Sequence, residues 1–313
     1  MENTGYEIRL SYNMAEDGFK GNVAVIGLGL LGASLAMALK DRKVKVSGWA
    51  RRNEVRQWAL DKGVIDYSAD DVGEVLRQAD ITVICLPIPE IINFIQKHAN
   101  CWKAGAVVSD VGSVKQVIVA AGETALKNSG VCFVGAHPMA GTEKSGPENA
   151  FPELYDNSEV LITPTENTDA TALEKLSAMW RLIGSRVNIL SPAAHDELVA
   201  YTSHIPHVMS LALTQTVLEC DDEQTRARRY SGCASGFRDT SRISSSSPRM
   251  WREIIEHNQT AVLEGVKQAE KNYRRLAEII ERGDFAALEA EFVRGKELRD
   301  GWLEYKNKQT GRD

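Results

Sequence analysis

The apolar stretch Val23-Ala-Val-Ile26 runs directly into Gly27-Leu-Gly-Leu-Leu-Gly32, and an amphipathic segment, residues 30–40, follows at once. No other feature restricts the fold as much. A strand that ends in G-x-G-x-x-G and opens a helix is the first turn of a dinucleotide-binding βαβ unit. Gly27 permits the tight turn. Gly29 lets the backbone approach a pyrophosphate, and Gly32 lets the helix pack close to the strand. The helix N-terminus attracts the anion. Leu28, Leu30 and Leu31 complete the loop and count with the glycines as cofactor-binding residues.

The remaining pattern extends that unit. Apolar runs at 44–49, 81–86, 106–109 and 131–136 alternate with helix-like segments at 54–62, 72–78, 90–99 and 114–127. A last strand–helix–strand set covers 158–163, 170–183 and 186–190. Such alternation predicts an α/β domain of Rossmann type, with a mostly parallel sheet covered on both faces. After Ser191-Pro192 the strand signals stop. Residues 193–219 read as one long helix interrupted at Pro206. Residues 248–282 and 285–305 read as two more, broken at Gly283-Asp284. The predicted organisation is a flexible lead-in over 1–20, a dinucleotide-binding domain over 21–190, and an all-α substrate and dimerisation domain over 191–313. Ser244–Ser247, just before Pro248, reads as a turn and helix cap.

Composition removes several classes of function. Lysine and arginine number 37 against 43 acidic residues, a net charge of −6. A mildly acidic chain lacks the concentrated positive charge that phosphate backbones and anionic membranes require. The five cysteines, Cys85, Cys101, Cys132, Cys220 and Cys233, are odd in number and never at C-x-x-C spacing, which argues against disulfides and structural zinc. No apolar run approaches the ~20 residues of a membrane span. Residues 1–20 lack the apolar core of a secretory signal. A soluble, cytoplasmic protein is expected.

The end of the second strand bears on the cofactor. An Asp or Glu there would bond the ribose 2′-hydroxyl of NAD. The chain reads Gly48-Trp-Ala-Arg-Arg-Asn53, with Ala50 at the acidic position and Arg51 and Arg52 after it. Arginines pair with a 2′-phosphate that a carboxylate would repel, so NADP is preferred and NAD is possible. Leu86 and Pro87, at the end of the 81–86 strand, are expected beside the cofactor, because ligands sit at the carboxyl ends of such strands.

Four further segments carry chemistry: Ser109-Asp-Val-Gly-Ser-Val-Lys115; Gly135-Ala-His-Pro-Met-Ala-Gly-Thr-Glu-Lys-Ser-Gly146; Ser203-His-Ile-Pro-His207; and Ser235-Gly-Phe-Arg-Asp-Thr-Ser-Arg-Ile243 with Pro248-Arg-Met-Trp251. In these runs, and in their order, the chain resembles the prephenate dehydrogenase family, which includes the arogenate and cyclohexadienyl dehydrogenases of tyrosine biosynthesis. The resemblance covers residues 23–257. The residues alone reach only a dehydrogenase of a small anionic substrate.

The resemblance implies oxidative decarboxylation of prephenate, arogenate or both. Hydride leaves C4 of the substrate ring while the 4-hydroxyl yields its proton, and the ring carboxylate departs as CO2 as the ring becomes aromatic. His137 matches the family's catalytic histidine, a general base suited by an imidazole's titration near neutrality. Ser113 matches the serine that orients hydroxyl and cofactor. Arg242 matches the arginine that binds a substrate carboxylate, work for which a guanidinium is well shaped, and Arg238 assists. His204 matches a second histidine at the substrate. Glu143 is a candidate gate and Trp251 a candidate apolar wall, although a Trp on an amphipathic helix is also ordinary core. His204 and His207 lack the third ligand that a metal would need, so no metal is expected.

The resemblance also implies a homodimer formed through the helical domain. The polar tail after residue 305 leaves no room for the tyrosine-binding regulatory domain of some relatives, so tyrosine is expected to compete only at the active site. Two other readings stay open: a dehydrogenase of 3-hydroxyacid or pyrroline-carboxylate type, and a non-catalytic NADP-binding sensor. A sensor has no use for Ser113, His137, His204 and Arg242 together.

Overall fold

The computed structural model describes Phe19, residues 21–141 and residues 144–310. The lead-in expected over 1–20 therefore lies, except for Phe19, outside the described residues. The chain runs β1 (Asn22–Ile26), α1 (Leu30–Asp41), β2 (Lys45–Trp49), α2 (Asn53–Asp61), α3 (Val72–Gln78), β3 (Ile81–Ile84), α4 (Ile88–Lys97), β4 (Val107–Asp110), α5 (Gln116–Leu126) and β5 (Cys132–Phe133). These five strands form one parallel sheet in the order β2-β1-β3-β4-β5.

Strand residues alternate between its two faces. Val23 and Val25 join Leu35 and Leu39 of α1 in one core cluster. Ala24 and Ile26 join Leu76 of α3 and Ile91 and Ile95 of α4 in another. Burial on both faces is why these strands read as unbroken apolar runs rather than alternating ones.

A second sheet follows: β6 (Gly135–Pro138), β7 (Glu159–Thr163), α6 (Ala170–Leu182) and β8 (Arg186–Ile189), in the order β6-β7-β8. β6 is antiparallel to β7, and β7 parallel to β8. The run 131–136, expected as one strand, is thus split between two sheets. The Val134 N–H still bonds the Val108 carbonyl at 2.9 Å; at Gly135 the chain leaves for β7. A Cβ at Gly135 would fall 2.5 Å from Thr163 Oγ1 and 2.7 Å from a Val119 methyl. Only glycine lets the chain make this transfer, and the transfer carries His137.

The rest is helical, with no strand from residue 191 on among the described residues. α7 (Pro192–Val199) leads through a π turn, Ala200–His204, into α8 (Ile205–Leu218). The interruption expected at Pro206 takes this form because proline lacks an N–H and its ring crowds the carbonyl four residues back, which a widened turn accommodates. α9 (Glu223–Gly232) and α10 (Ser235–Ser241) occupy a stretch without clear periodicity. α11 (Pro248–His257), α12 (Gln259–Glu281) and α13 (Phe285–Thr310) complete the chain. The helix expected over 248–282 breaks at Asn258, whose buried side chain donates instead to the Asp196 carbonyl at 2.7 Å. Ser247 caps α11 by accepting from the Met250 N–H.

The chain packs as two compact units. One holds the described residues up to Thr202 together with Ser245–Asn258; the other holds Ser203–Ser244 and the described residues from Gln259 on. No helix among the described residues is long and apolar enough to cross a membrane.

Candidate active site

The glycine loop separates into two kinds of position. Gly27 has φ +95°, and a Cβ there would meet the Cys85 carbonyl oxygen at 2.4 Å; a Cβ on Gly32 would meet the Gly27 carbonyl oxygen at 1.9 Å. Both glycines are demanded by the chain's own packing. A Cβ on Gly29 would meet nothing within 4 Å. The fold does not need glycine there, so the cleared space suits something outside the chain. α1 starts on Gly29 with no side-chain cap and no acidic residue in its first turn, which leaves its positive end to an anion. The residues present fit a dinucleotide pyrophosphate. Leu28 and Leu30 are buried, and Leu31 is half-buried. Leu86 and Pro87 follow β3 after Cys85, Pro87 as the residue that opens α4.

At the end of β2, Ala50 is buried and Arg51 and Arg52 are exposed. The Arg56 guanidinium donates to the Ala50 carbonyl at 2.8 Å and pairs with Asp70. The turn therefore offers two exposed guanidiniums and no carboxylate between residues 49 and 53.

His137 lies in β6, half-buried, with its partners built from β4, the start of α5 and α7. Asp110, the last residue of β4, is fully buried and pairs with fully buried Lys115. Asp110 also accepts the Gly112 N–H at 2.8 Å and the Ala136 N–H at 3.3 Å, while the Lys115 ammonium donates to the Ala136 carbonyl at 2.9 Å. The pair thus clamps the residue before His137. Burial pushes the Asp110 carboxyl up and the Lys115 ammonium down, opposed in each by its partner. Ser113 stands half-buried in the turn between them.

Behind His137, its Nδ1 lies 2.9 Å from His195 Nε2. His195 Nδ1 lies 2.8 Å from Asp196 Oδ1, and both residues are buried. Asp196 accepts the N–H groups of Lys115 at 2.7 Å and Gln116 at 3.0 Å, at the start of α5. Burial raises the Asp196 carboxyl, but these hydrogen bonds outweigh it and hold the group below the ordinary carboxylate range. Burial lowers the His195 imidazole, Asp196 pulls it back, and Lys115 adds to the lowering.

The other predicted residues are placed differently. His204 closes the π turn and is buried. His207 Nδ1 lies 2.9 Å from the Ser203 carbonyl oxygen, the usual bond of a helical histidine to the preceding turn. Arg238 and Arg242 are exposed, on α10 and in the 3-10 turn Arg242–Ser245 that follows it. Arg238 contacts its neighbour Asp239 at 3.4 Å, with both side chains more than 70% exposed (77% and 72%). Trp251 is half-buried and packs on the core cluster that contains Ile254 and Phe94. Glu143 lies outside the described residues. Among the described residues, no group of three His, Cys, Asp or Glu side chains is placed to hold a metal ion.

Two family models match in succession: residues 35–189 match the nucleotide-binding domain of prephenate dehydrogenase, and residues 191–294 match its dimerization domain. The chain belongs to the prephenate dehydrogenase family. It is 35% identical to the cyclohexadienyl dehydrogenase of Zymomonas mobilis over 245 residues, 77% of this chain and 82% of that one. Among solved structures, Synechocystis arogenate dehydrogenase superposes with a TM-score of 0.80 at 30% identity, covering 90% of this chain and 99% of that one. The Aquifex aeolicus prephenate dehydrogenase, solved with hydroxyphenyl propionate and NAD+, gives 0.77 at 32% identity, covering 97% and 100%. This family member carries a nucleotide-binding α/β domain followed by a helical dimerization domain.

Four buried polar residues around His137 have no distinctive sequence signature in this prephenate dehydrogenase family member. Asp110 and Lys115 sit within the Ser109–Lys115 run, yet an Asp and a Lys five apart across a strand end look like solvated turn residues. His195 and Asp196 fall within the 193–219 segment, whose pattern predicts only a helix. The available signal was two adjacent ionisable residues, the fourth and fifth of a helix whose cap, Ser191, accepts the Ala194 N–H.

Proposed function

We propose that this enzyme catalyses oxidative decarboxylation of prephenate, arogenate or both in tyrosine biosynthesis, with hydride transfer to NAD(P)+. One observation carries the reading. The glycine cradle with its open Gly29 position and the clamped His137 are built on the same α/β unit. A small-molecule dehydrogenase needs both features, and a cofactor sensor needs only the first.

His137 is the general base. It accepts the 4-hydroxyl proton as the C4 hydrogen leaves with its electron pair, so the ring oxygen becomes carbonyl-like. When bound, the nicotinamide supplies the hydride acceptor. The bond to the ring carboxylate then breaks, CO2 leaves, and the bonding pair enters the ring. His137 returns the proton to the oxygen, which ends as a phenol. No net proton is released, and aromatisation drives the sequence. Ser113 orients the hydroxyl. Arg242, assisted by Arg238, pairs with a substrate carboxylate; His204 hydrogen-bonds the substrate, Trp251 lends an apolar surface and Glu143 acts as a gate.

We assign Arg51 and Arg52 to the 2′-phosphate of NADP, with NAD as the weaker cofactor. The support is the exposed pair of guanidiniums beside an alanine where an acid would read NAD. The functional boundary is placed between residues 190 and 191. The helical half forms a homodimer, supported by the family's dimerization domain and by exposed Phe285, Phe292, Leu298 and Trp302 along α13. The cysteine usage supports a cytoplasmic setting.

The deciding experiment is a steady-state assay of prephenate and arogenate, each with NAD and NADP, on the native enzyme and on His137→Asn. Turnover that favours NADP and falls about 10³-fold in kcat in the variant supports the reading. A preference for NAD overturns the assignment of Arg51 and Arg52. Undiminished turnover in His137→Asn overturns the role of His137.

A further inference from the structure

The proposed reaction makes no use of His195 and Asp196, yet both are buried directly behind its base. His195 is fully buried, on α7. Its Nε2 faces His137 Nδ1 at 2.9 Å, the two rings meeting edge to face with centroids 5.1 Å apart. Its Nδ1 faces Asp196 at 2.8 Å. The charged groups around it are Asp196 on its own helix, Lys115 at the start of α5 and Asp110 at the end of β4. Asp196 is itself fixed by two N–H groups of the α5 start, and its carbonyl by the Asn258 amide.

Donor and acceptor counting along this chain has one solution. An ionised carboxylate can only accept. It already accepts from two backbone N–H groups, so its third partner, His195 Nδ1, must be the N–H that donates. A neutral imidazole carries one proton, so His195 Nε2 holds a lone pair and accepts. His137 Nδ1 must then donate to it, and neutral His137 holds its lone pair on Nε2. Burial disfavours the charged form of His195, in line with this count.

We propose that His195 and Asp196 are positioning residues of the reaction: together they hold His137 in the tautomer whose Nε2 is the base. The proposal rests on the reading of His137 as that base. When His137 takes the substrate proton on Nε2, its Nδ1–H bond to His195 becomes charge-assisted and shorter. The new positive charge is shared through His195 toward the Asp196 carboxylate, and the proton returns by the same nitrogen. This is the logic by which a buried carboxylate orients a catalytic histidine in hydrolases, with a second imidazole between the two.

The test is a tautomer measurement with a kinetic arm. The chain has six histidines, few enough for ring-nitrogen NMR of the intact 15N-labelled enzyme, with His137→Asn identifying the His137 signals. The expected native spectrum shows His137 protonated on Nδ1 and bare on Nε2. In His195→Leu, which offers no acceptor, His137 moves toward the Nε2–H form preferred in water. There kcat falls about 100-fold, while KM and cofactor Kd change less than about threefold and the acid limb of the kcat–pH profile shifts. His195→Gln, whose amide can accept from His137 and donate to Asp196, keeps the Nδ1–H form and recovers most of the lost kcat. A native His137 protonated on Nε2 overturns the proposal, as does a His195→Leu enzyme with native kcat. Retained turnover in His137→Asn defeats the reading of the base instead, and the tautomer measurement still reports on the His195 bond.

Discussion

Two regions of this molecule hold polar side chains matched to family motifs, and they are built in opposite ways. Around His137 in the α/β unit, Asp110, Lys115, His195 and Asp196 are buried, and every one has hydrogen-bond partners at fixed distances. Around Arg242 in the helical unit, the arginines stand on a short helix and a 3-10 turn, exposed, and the Arg238 guanidinium meets the neighbouring Asp239. The lesson concerns preorganisation. A base must hold one tautomer and one direction, which a low-dielectric, fully bonded setting enforces. A guanidinium that binds a free carboxylate needs charge and reach, and a solvated side chain supplies both.

The difference can be broken most sharply at Lys115. Lys115→Met leaves the Asp110 carboxylate buried without its cation, and unfolding in denaturant should show a loss of about 3–5 kcal/mol. A loss under about 1 kcal/mol would mean that the ammonium does not hold the β4 end in place. Arg242→Ala should leave stability nearly untouched and raise KM about 10- to 100-fold, the worth of a charged hydrogen bond. Steady-state kinetics check it, and an unchanged KM would remove Arg242 from the substrate.

Acid sensitivity gives a finer comparison. The Asp196 carboxyl titrates below its ordinary range in the folded chain, so its contribution to stability is present above the unfolded value of about 3.9 and is lost as pH falls through the folded value. Asp196→Asn should therefore flatten the decline of stability with pH in that window, measured by denaturant unfolding at successive pH values. An unchanged slope would show that the carboxylate is not held ionised. The smallest effect belongs to Arg238→Ala. Its exposed pairing with Asp239 should contribute less than about 0.5 kcal/mol to stability, and a melting curve displaced by several degrees would contradict the surface assignment.

Much of the architecture was legible before any coordinates, because it is local. A strand buried on both faces must be apolar throughout, and a helix that covers it must repeat its apolar residues at helical spacing. The tight turn at Gly27 and the close packing at Gly32 leave no alternative to glycine, so the loop announced itself. His137, Ser113 and Arg242 stand out as candidates because their sequence neighbours carry the family motifs. Less was legible where a short segment changes partner. Residues 131–136 look like one strand, and only the contact of Gly135 with Thr163 and Val119 divides them between two sheets.

By itself, then, the sequence determined the glycine loop, the α/β-then-helical order and the motifs that carry the candidate side chains, since each depends on residues within a turn or two of one another. The tertiary structure alone decided what stands behind His137. His137 meets His195 across 58 residues, and Asp196 meets Lys115 across 81. No periodicity or spacing encodes such pairings. They exist because sheet transfer at Gly135 and the docking of α7 against the start of α5 exclude water there, and buried polar groups without water must find one another.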